Sequence, residues 1–266
     1  NTRVMDPNVI RPLVTVLMPV YNGEKYLREA IESILNQSYT NFEFLIINDG
    51  STDLTEEIIA SYTDSRIRYV NNGQNIQLIA TLNKGISLAK GKYIARMDAD
   101  DIALPHRLER QVAFMEENSY VGICGSWVET FGVENKIIQY PETHDEIIVN
   151  LLFYSAISHP ASIWRKELFI KHSLHFKSDY LQAEDYKLWT DCVSVTKLYN
   201  IQEVLLRYRI HKEQLGFVAP QNNFLSTAQI KRELVSRLNI PFSKDESEEL
   251  DKILLNNPSF SRNTIN

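Results

Sequence analysis

Only two cysteines occur in 266 residues, Cys124 and Cys192, and they form no CxxC pair. That is too few for a disulfide framework, so a reducing cytosol is favoured over a secreted setting. No apolar run reaches the ~18 to 20 residues of a spanning helix, and the stretch from Asn1 to Pro12 is polar rather than signal-like. An excess of basic charge is also missing: 28 Lys and Arg stand against 34 Asp and Glu, a formal net charge of -6. A dedicated nucleic-acid binder needs a basic face to release phosphate counterions, so no nucleic-acid partner is expected. Internal repeats and low-complexity tracts are absent as well. What remains is an ordinary globular chain, 44% hydrophobic and 23% charged, long enough for one large α/β domain with an appendage.

The apolar pattern alternates between two periods. Residues 14–20 and 42–47 are nearly continuous apolar runs, as in parallel strands covered on both faces. Between and after them, Tyr26, Leu27, Ala30, Ile31, Ile34 and Leu35, then Leu54, Ile58, Ile59 and Tyr62, recur at helical spacing. Further strands are predicted at 67–70, 92–97 and 122–131, and further helices at 77–89, from Pro105 onward, at 145–153 and from Glu184. His159 to Arg165 reads as a loop feeding a strand. The fold class is therefore α/β, a Rossmann-like, mostly parallel sheet flanked by helices. Such sheets bind ligands at the carboxyl ends of their strands.

Polar residues fall at those ends. Asn22 follows the first strand, Asp49 the second, and Asp98, Asp100 and Asp101 the fourth. Three carboxylates within four positions repel one another unless a cation sits among them, and oxygen donors suit Mg²⁺ or Mn²⁺. The plain alternative, a solvated acidic turn, weakens once Asn22 and Asp49 converge on the same edge. Glu184 and Asp185 open a helix, where acidic residues also serve as simple capping groups. A glycine-rich turn after the first strand is absent, which argues against a nucleotide-dependent dehydrogenase. A sugar nucleotidyltransferase lacks its glycine-rich basic loop here, and a phosphohydrolase would carry its acidic motif on the first strand. A non-catalytic nucleotide-sugar or glycan binding module would not need Asp185.

Six segments in order carry a resemblance: Met18-Pro-Val-Tyr-Asn22, Asn48-Asp-Gly-Ser-Thr-Asp53, Leu82-Asn-Lys-Gly85, Met97-Asp-Ala-Asp-Asp101, Ala183-Glu-Asp-Tyr186 and Tyr208-Arg-Ile-His211. Each is weak alone, but together, over most of residues 13–211, the chain resembles the family 2 glycosyltransferases. These are inverting enzymes with a GT-A fold, here of the bacterial polysaccharide-biosynthesis type. The resemblance implies a hexosyl- or N-acetylhexosaminyltransferase using a nucleoside-diphosphate sugar, most simply a UDP-sugar, and a glycan or lipid-linked acceptor. It places Pro19, Val20, Tyr21, Asn22, Asp49, Asn83, Lys84, Asp98 and Ala99 at the nucleotide. Asp49 would accept from the imide N–H of uracil or thymine. Asp100, Asp101 and His211 would lie at a Mn²⁺ or Mg²⁺ ion, with the direct ligand of the aspartate pair left open by spacing. Asp185 would be the catalytic base, with Glu184 the second choice, and Arg207 and Arg209 would contact the diphosphate. By itself His211 reads as an ordinary core or surface histidine near a strand end, and only the motif around it favours the functional reading. His159 and Trp164 are weaker acceptor-side candidates, the tryptophan more in keeping with a core residue.

The expected organisation is a GT-A domain over residues 1–215 and a C-terminal helical extension over 216–266, fraying from Asn256. Lys231, Arg232 and Arg237 on that extension allow peripheral contact with anionic lipid, but a helix packed on the domain is the simpler expectation. Together these features imply a cytoplasmic protein, with peripheral attachment at the inner face of a membrane as the second reading.

Overall fold

The computed structural model describes residues 12–212, 220–237 and 243–246. The expected boundary near Gly216 and the frayed tail from Asn256 lie outside them. In chain order the elements are β1 (Val14–Val20), α1 (Leu27–Leu35), β2 (Phe42–Asn48), α2 (Thr55–Ala60), β3 (Ile67–Asn71), α3 (Leu78–Leu88), β4 (Tyr93–Arg96) and β5 (Ile102–Ala103). They continue with α4 (Arg107–Glu117), β6 (Val121–Gly132), β7 (Ile137–Ile138), α5 (His144–Asn150), a 3₁₀ turn (His159–Ala161), β8 (Ile163–Arg165), α6 (Lys166–Lys171), α7 (Glu184–Cys192), β9 (Lys197–Ile210) and α8 (Pro220–Arg237).

Every residue of β1 and β2 is buried, so both faces of the sheet are covered, as the uninterrupted apolar runs require. The sheet order is β3-β2-β1-β4-β8-β6-β9-β5, with β7 off this path and paired antiparallel to Val128 and Glu129 of β6. The first four strands pair in parallel, and the α1, α2 and α3 crossovers bury Ile31, Ile58 and Leu82 against them. Beyond β4 the sheet becomes mixed: β8 runs antiparallel to both β4 and β6, while β6 and β9 are parallel. A three-residue strand such as β8 carries no periodic signal of its own direction, which the flanking strands impose. The same holds for β5, two residues immediately after the acidic turn that pair with Arg207 and Leu206 of β9.

Pro105 was expected to open a helix, but α4 begins at Arg107. Pro105 stays in the preceding turn, where its carbonyl accepts from Ser38 N–H, and Gln37 Oε1 accepts from the Leu108 N–H at 3.0 Å. The loop after β1 and the loop after β2 are laced together. Asn22 Oδ1 accepts from Thr52 N–H at 2.9 Å, Ser51 Oγ from Asn22 N–H at 2.9 Å, and Asp53 Oδ2 from Glu24 N–H at 3.0 Å. Thus Ser51, Thr52 and Asp53 shape the cleft instead of lining it alone. Gly50, at φ +73°, has Gln74 backbone 2.5 Å from where a Cβ would stand, so only glycine fits this crossing.

α8 packs on α7, burying Ala228 and Ile230. Lys187 Nζ bridges Asp191 of its own helix at 2.9 Å and Glu233 of α8 at 2.8 Å. Lys231 is 2% exposed, and Arg237 donates to the Thr190 carbonyl at 2.9 Å and reaches Asp191. Lys231 therefore serves packing, while Arg237 is exposed and tied to α7. Among the described residues no helix is long and apolar enough to cross a membrane.

Candidate active site

The parallel half of the sheet delivers three turns to one edge. At the end of β2, Asp49 is 4% exposed, and its Oδ1 accepts from Asn72 Nδ2 at 2.7 Å and Ile76 N–H at 3.0 Å. Oδ2 takes no hydrogen bond from the described residues. Lys84 Nζ donates to Asn72 Oδ1 at 2.7 Å, so Lys84 acts on Asp49 through Asn72. One carboxylate oxygen is thus fixed and the other left open toward the cleft. Tyr21, half exposed, follows β1, whose last residue, Val20, accepts from Asp49 N–H at 2.8 Å.

After β4 the chain turns through Asp98, Asp100 and Asp101, whose ligand atoms lie within 4.8 Å of one another. Arg96, fully buried at the end of β4, donates from Nη2 to Asp98 Oδ1 at 2.5 Å. Asp101 is fully buried; Oδ1 accepts from Arg209 N–H at 2.8 Å, while Oδ2 is buried with no partner among the described residues. Burial first, then repulsion from Asp100 and Asp98, raises the Asp101 carboxyl well above its ordinary range. Burial and Asp98 push Asp100 the same way, against the pull of His211, whose Nε2 lies 2.9 Å from Asp100 Oδ2. An orphaned buried oxygen within a crowd of carboxylates fits a hard divalent cation, which would supply the missing positive charge.

The third part is the amino end of α7. Glu184 is 7% exposed, and burial, followed by the charge on Asp185, pushes its carboxyl up to about 7; Arg96 and Asp98 act on it from the floor of the cleft. Asp185 is partly exposed, and its Oδ1 accepts from Tyr186 N–H at 2.7 Å. A carboxyl raised by folding stabilises the fold while protonated and loses that contribution as pH rises through about 7. Glu184→Gln is therefore expected to flatten the fall in melting temperature between about pH 4.3, the ordinary glutamate value, and pH 7, read by thermal shift in chelator. An unchanged slope would remove Glu184 as its source.

Several expected site residues make protein contacts of their own. The Asn83 amide pairs with the Phe176 backbone in both directions, at 2.8 and 2.9 Å, pinning the loop before α7. Arg207 pairs with Glu129 at 3.1 Å. Arg209 is occupied too, donating from Nε to the Asp100 carbonyl at 2.7 Å and from Nη2 to Glu29 at 2.8 Å. His159 and Trp164 are core residues that pack with Phe176 and Trp189, and burial drives His159 well below its usual range. Residues not singled out in the sequence prove important: Arg96, Asn72 and Arg107. Arg107 is buried and donates to the Arg96 carbonyl at 2.7 Å and the Ser162 carbonyl at 3.3 Å. Arg96 could have been noticed as a charged residue inside an apolar strand, since buried charge demands a partner.

A mostly parallel α/β sheet with Asp49 and an acidic turn at one edge, and carboxyls opening α7, is the arrangement expected of a GT-A glycosyltransferase fold. The glycosyl transferase family 2 model matches residues 15–202, and the chain belongs to this family. An uncharacterized glycosyltransferase of Haemophilus influenzae is 40% identical over 240 residues, covering 85% of this chain and 74% of that protein. An O-antigen biosynthesis glycosyltransferase, WbnJ, of Escherichia coli is 33% identical over 213 residues, covering 77% and 82%. Among solved structures, S. aureus TarS 1-349 in complex with UDP-GlcNAc superposes with TM-score 0.70 at 19% identity, covering 91% of this chain and 70% of that one. The mannosyltransferase PcManGT of Pyrobaculum calidifontis, in complex with GDP-Man and Mn²⁺, gives TM-score 0.62 at 18% identity over 92% and 69%. At such identities the likeness to solved structures is one of fold. The chain is a glycosyltransferase.

Proposed function

We propose that this glycosyltransferase is metal-dependent and inverting, and moves one sugar from a UDP-sugar to a glycan or lipid-linked acceptor. The observation that carries the reading is the half-anchored Asp49 at the same sheet edge as the three clustered aspartates. Asp49 Oδ2 is available to accept an imide N–H, which uracil and thymine present and cytosine lacks. Pro19, Val20, Tyr21, Asn22, Asp98 and Ala99 complete the base and ribose cleft. Asp100 and Asp101 would hold Mn²⁺ or Mg²⁺ with His211 beside them, and the ion would supply Lewis-acid chemistry against the charge of the departing diphosphate. Asp185 accepts the proton of the acceptor hydroxyl as it attacks the anomeric carbon from the side opposite the leaving group, which inverts the centre. Glu184, held near neutrality by burial, flanks Asp185 and makes ionisation of both carboxyls together unfavourable.

The UDP assignment is supported by Asp49 and by the TarS complex, and the metal by the orphaned Asp101 oxygen and the PcManGT complex. The O-antigen relative supports a role in assembling surface polysaccharide, at the cytoplasmic face of a membrane. A catalytic domain over 1–215 with a packed helical extension from 216 is part of the same proposal. Calorimetry of UDP, dTDP and GDP, each with Mn²⁺ and with excess chelator, tests it. Metal-dependent binding of a uracil or thymine nucleotide is expected; binding of GDP alone, or of none, overturns the donor assignment.

A further inference from the structure

Resting on the metal reading above, we propose that Arg209, held by Glu29 and Tyr26 of the α1 segment, is a positioning residue that clamps the acidic turn in its cation-binding shape. It is not a phosphate ligand.

The contacts all point one way. Arg209 grips the turn twice, its backbone N–H donating to Asp101 Oδ1 at 2.8 Å and its Nε to the Asp100 carbonyl at 2.7 Å. The guanidinium lies between two aromatic faces, 4.3 Å from the Tyr26 ring centroid and 4.4 Å from that of Phe131. Its Nη2 then reaches Glu29 at 2.8 Å. The arginine side chain is 12% exposed and Glu29 56%, so the charged head is seated while its partner stands in solvent. Tyr26 also packs on His211 at 4.9 Å, so one aromatic ring steadies both the clamp and the histidine beside Asp100.

The mechanical need is clear. Asp100 and Asp101 repel each other and Asp98, and Asp101 Oδ2 has no partner among the described residues to orient it. Cation affinity depends on holding ligands close to their bound geometry before the ion arrives, and second-shell contacts commonly govern it by 10- to 100-fold. A planar fork between two rings, bonded at both ends, holds its direction better than the flexible ammonium of lysine. Neither Glu29 nor Tyr26 stands in any of the six motif segments, so this part of the clamp is visible only in three dimensions.

The test measures Mn²⁺ affinity from the electron paramagnetic resonance signal of free ion, with and without UDP, and UDP affinity in chelator by calorimetry. For Arg209→Lys the expected result is about tenfold weaker Mn²⁺ binding both with and without UDP, and unchanged UDP affinity in chelator. Glu29→Gln, an exposed change that does not threaten folding, should weaken Mn²⁺ in the same direction by about threefold. A phosphate role predicts the opposite split: weaker UDP binding in chelator with Mn²⁺ affinity intact, and that result overturns the proposal. Unchanged Mn²⁺ affinity in both variants overturns it too. Failure of the unsubstituted protein to bind Mn²⁺ even with UDP would instead sink the underlying metal assignment, a separate outcome.

Discussion

Asp185→Asn is expected to lower turnover of the nucleotide sugar by about 10²- to 10⁴-fold while leaving UDP affinity with Mn²⁺ unchanged. The substitution is nearly isosteric. Asn retains the oxygen that accepts from Tyr186 N–H, so the start of α7 keeps its local bond and loses only a favourable charge at a helix amino end, worth about 0.3–1 kcal/mol. What disappears is the ability to accept a proton. Asp185 sits on α7, whereas the proposed base contact is Asp49 at the end of β2, so nucleotide binding has no reason to change. Release of nucleoside diphosphate, followed with and without candidate acceptors, reads the loss. Retained turnover would move the base to another group, with Glu184→Gln the next variant to examine. Loss of UDP binding would instead show that Asp185 belongs to the donor site.

Asp101→Asn carries the second large effect, and its sign differs between activity and stability. In the absence of a cation, the Asp101 carboxyl is fully buried and repelled by two neighbours, so the amide should be tolerated or preferred. A gain of about 1 kcal/mol corresponds to about 2–4 °C in melting temperature for a chain of this size. Native protein should gain stability from Mn²⁺ by mass action, about 2.7 kcal/mol at a hundredfold excess over the dissociation constant. The variant should lose that response and about 10²- to 10³-fold in turnover. Thermal melts in chelator and in Mn²⁺ decide the matter. A variant that melts lower in chelator yet still responds fully to Mn²⁺ would remove Asp101 from the cation site. Running Asp100→Asn beside it distinguishes the two neighbours, because Asp100 already has His211 as a partner and Asp101 Oδ2 has none among the described residues.

The buried charge beneath the turn also explains why the site tolerates so many acids. Arg96 contacts Asp98 and acts on Glu184, and Arg107 holds the carbonyls of Arg96 and Ser162. Burial pulls Arg107 down to about 9, and Asp101 and Asp98 partly restore it. Two buried guanidiniums thus supply the fixed positive field that isolated carboxylates would lack.

The sequence by itself determined the parallel half of the sheet, the order of the site segments and the edge on which they meet. Continuous apolar runs, helical spacing and polar residues at strand ends are local signals, and β1 to β4 with their three helices follow from them. The family resemblance then attached chemistry to Asp49, to Asp98 to Asp101 and to Asp185 that spacing alone could not. Only the tertiary structure decided which polar groups serve structure and which face the cleft. Asn83 and Phe176 are 93 positions apart, and Arg209 and Asp101 are 108 apart. A side chain that satisfies a distant backbone group leaves no trace in its own neighbourhood, so the contacts of Asn83 with Phe176 and of Arg209 with Asp100 come into view only in three dimensions. The direction of β8 and the existence of β5 were hidden for the same reason, since two or three residues carry too little pattern to fix a strand that neighbouring strands define.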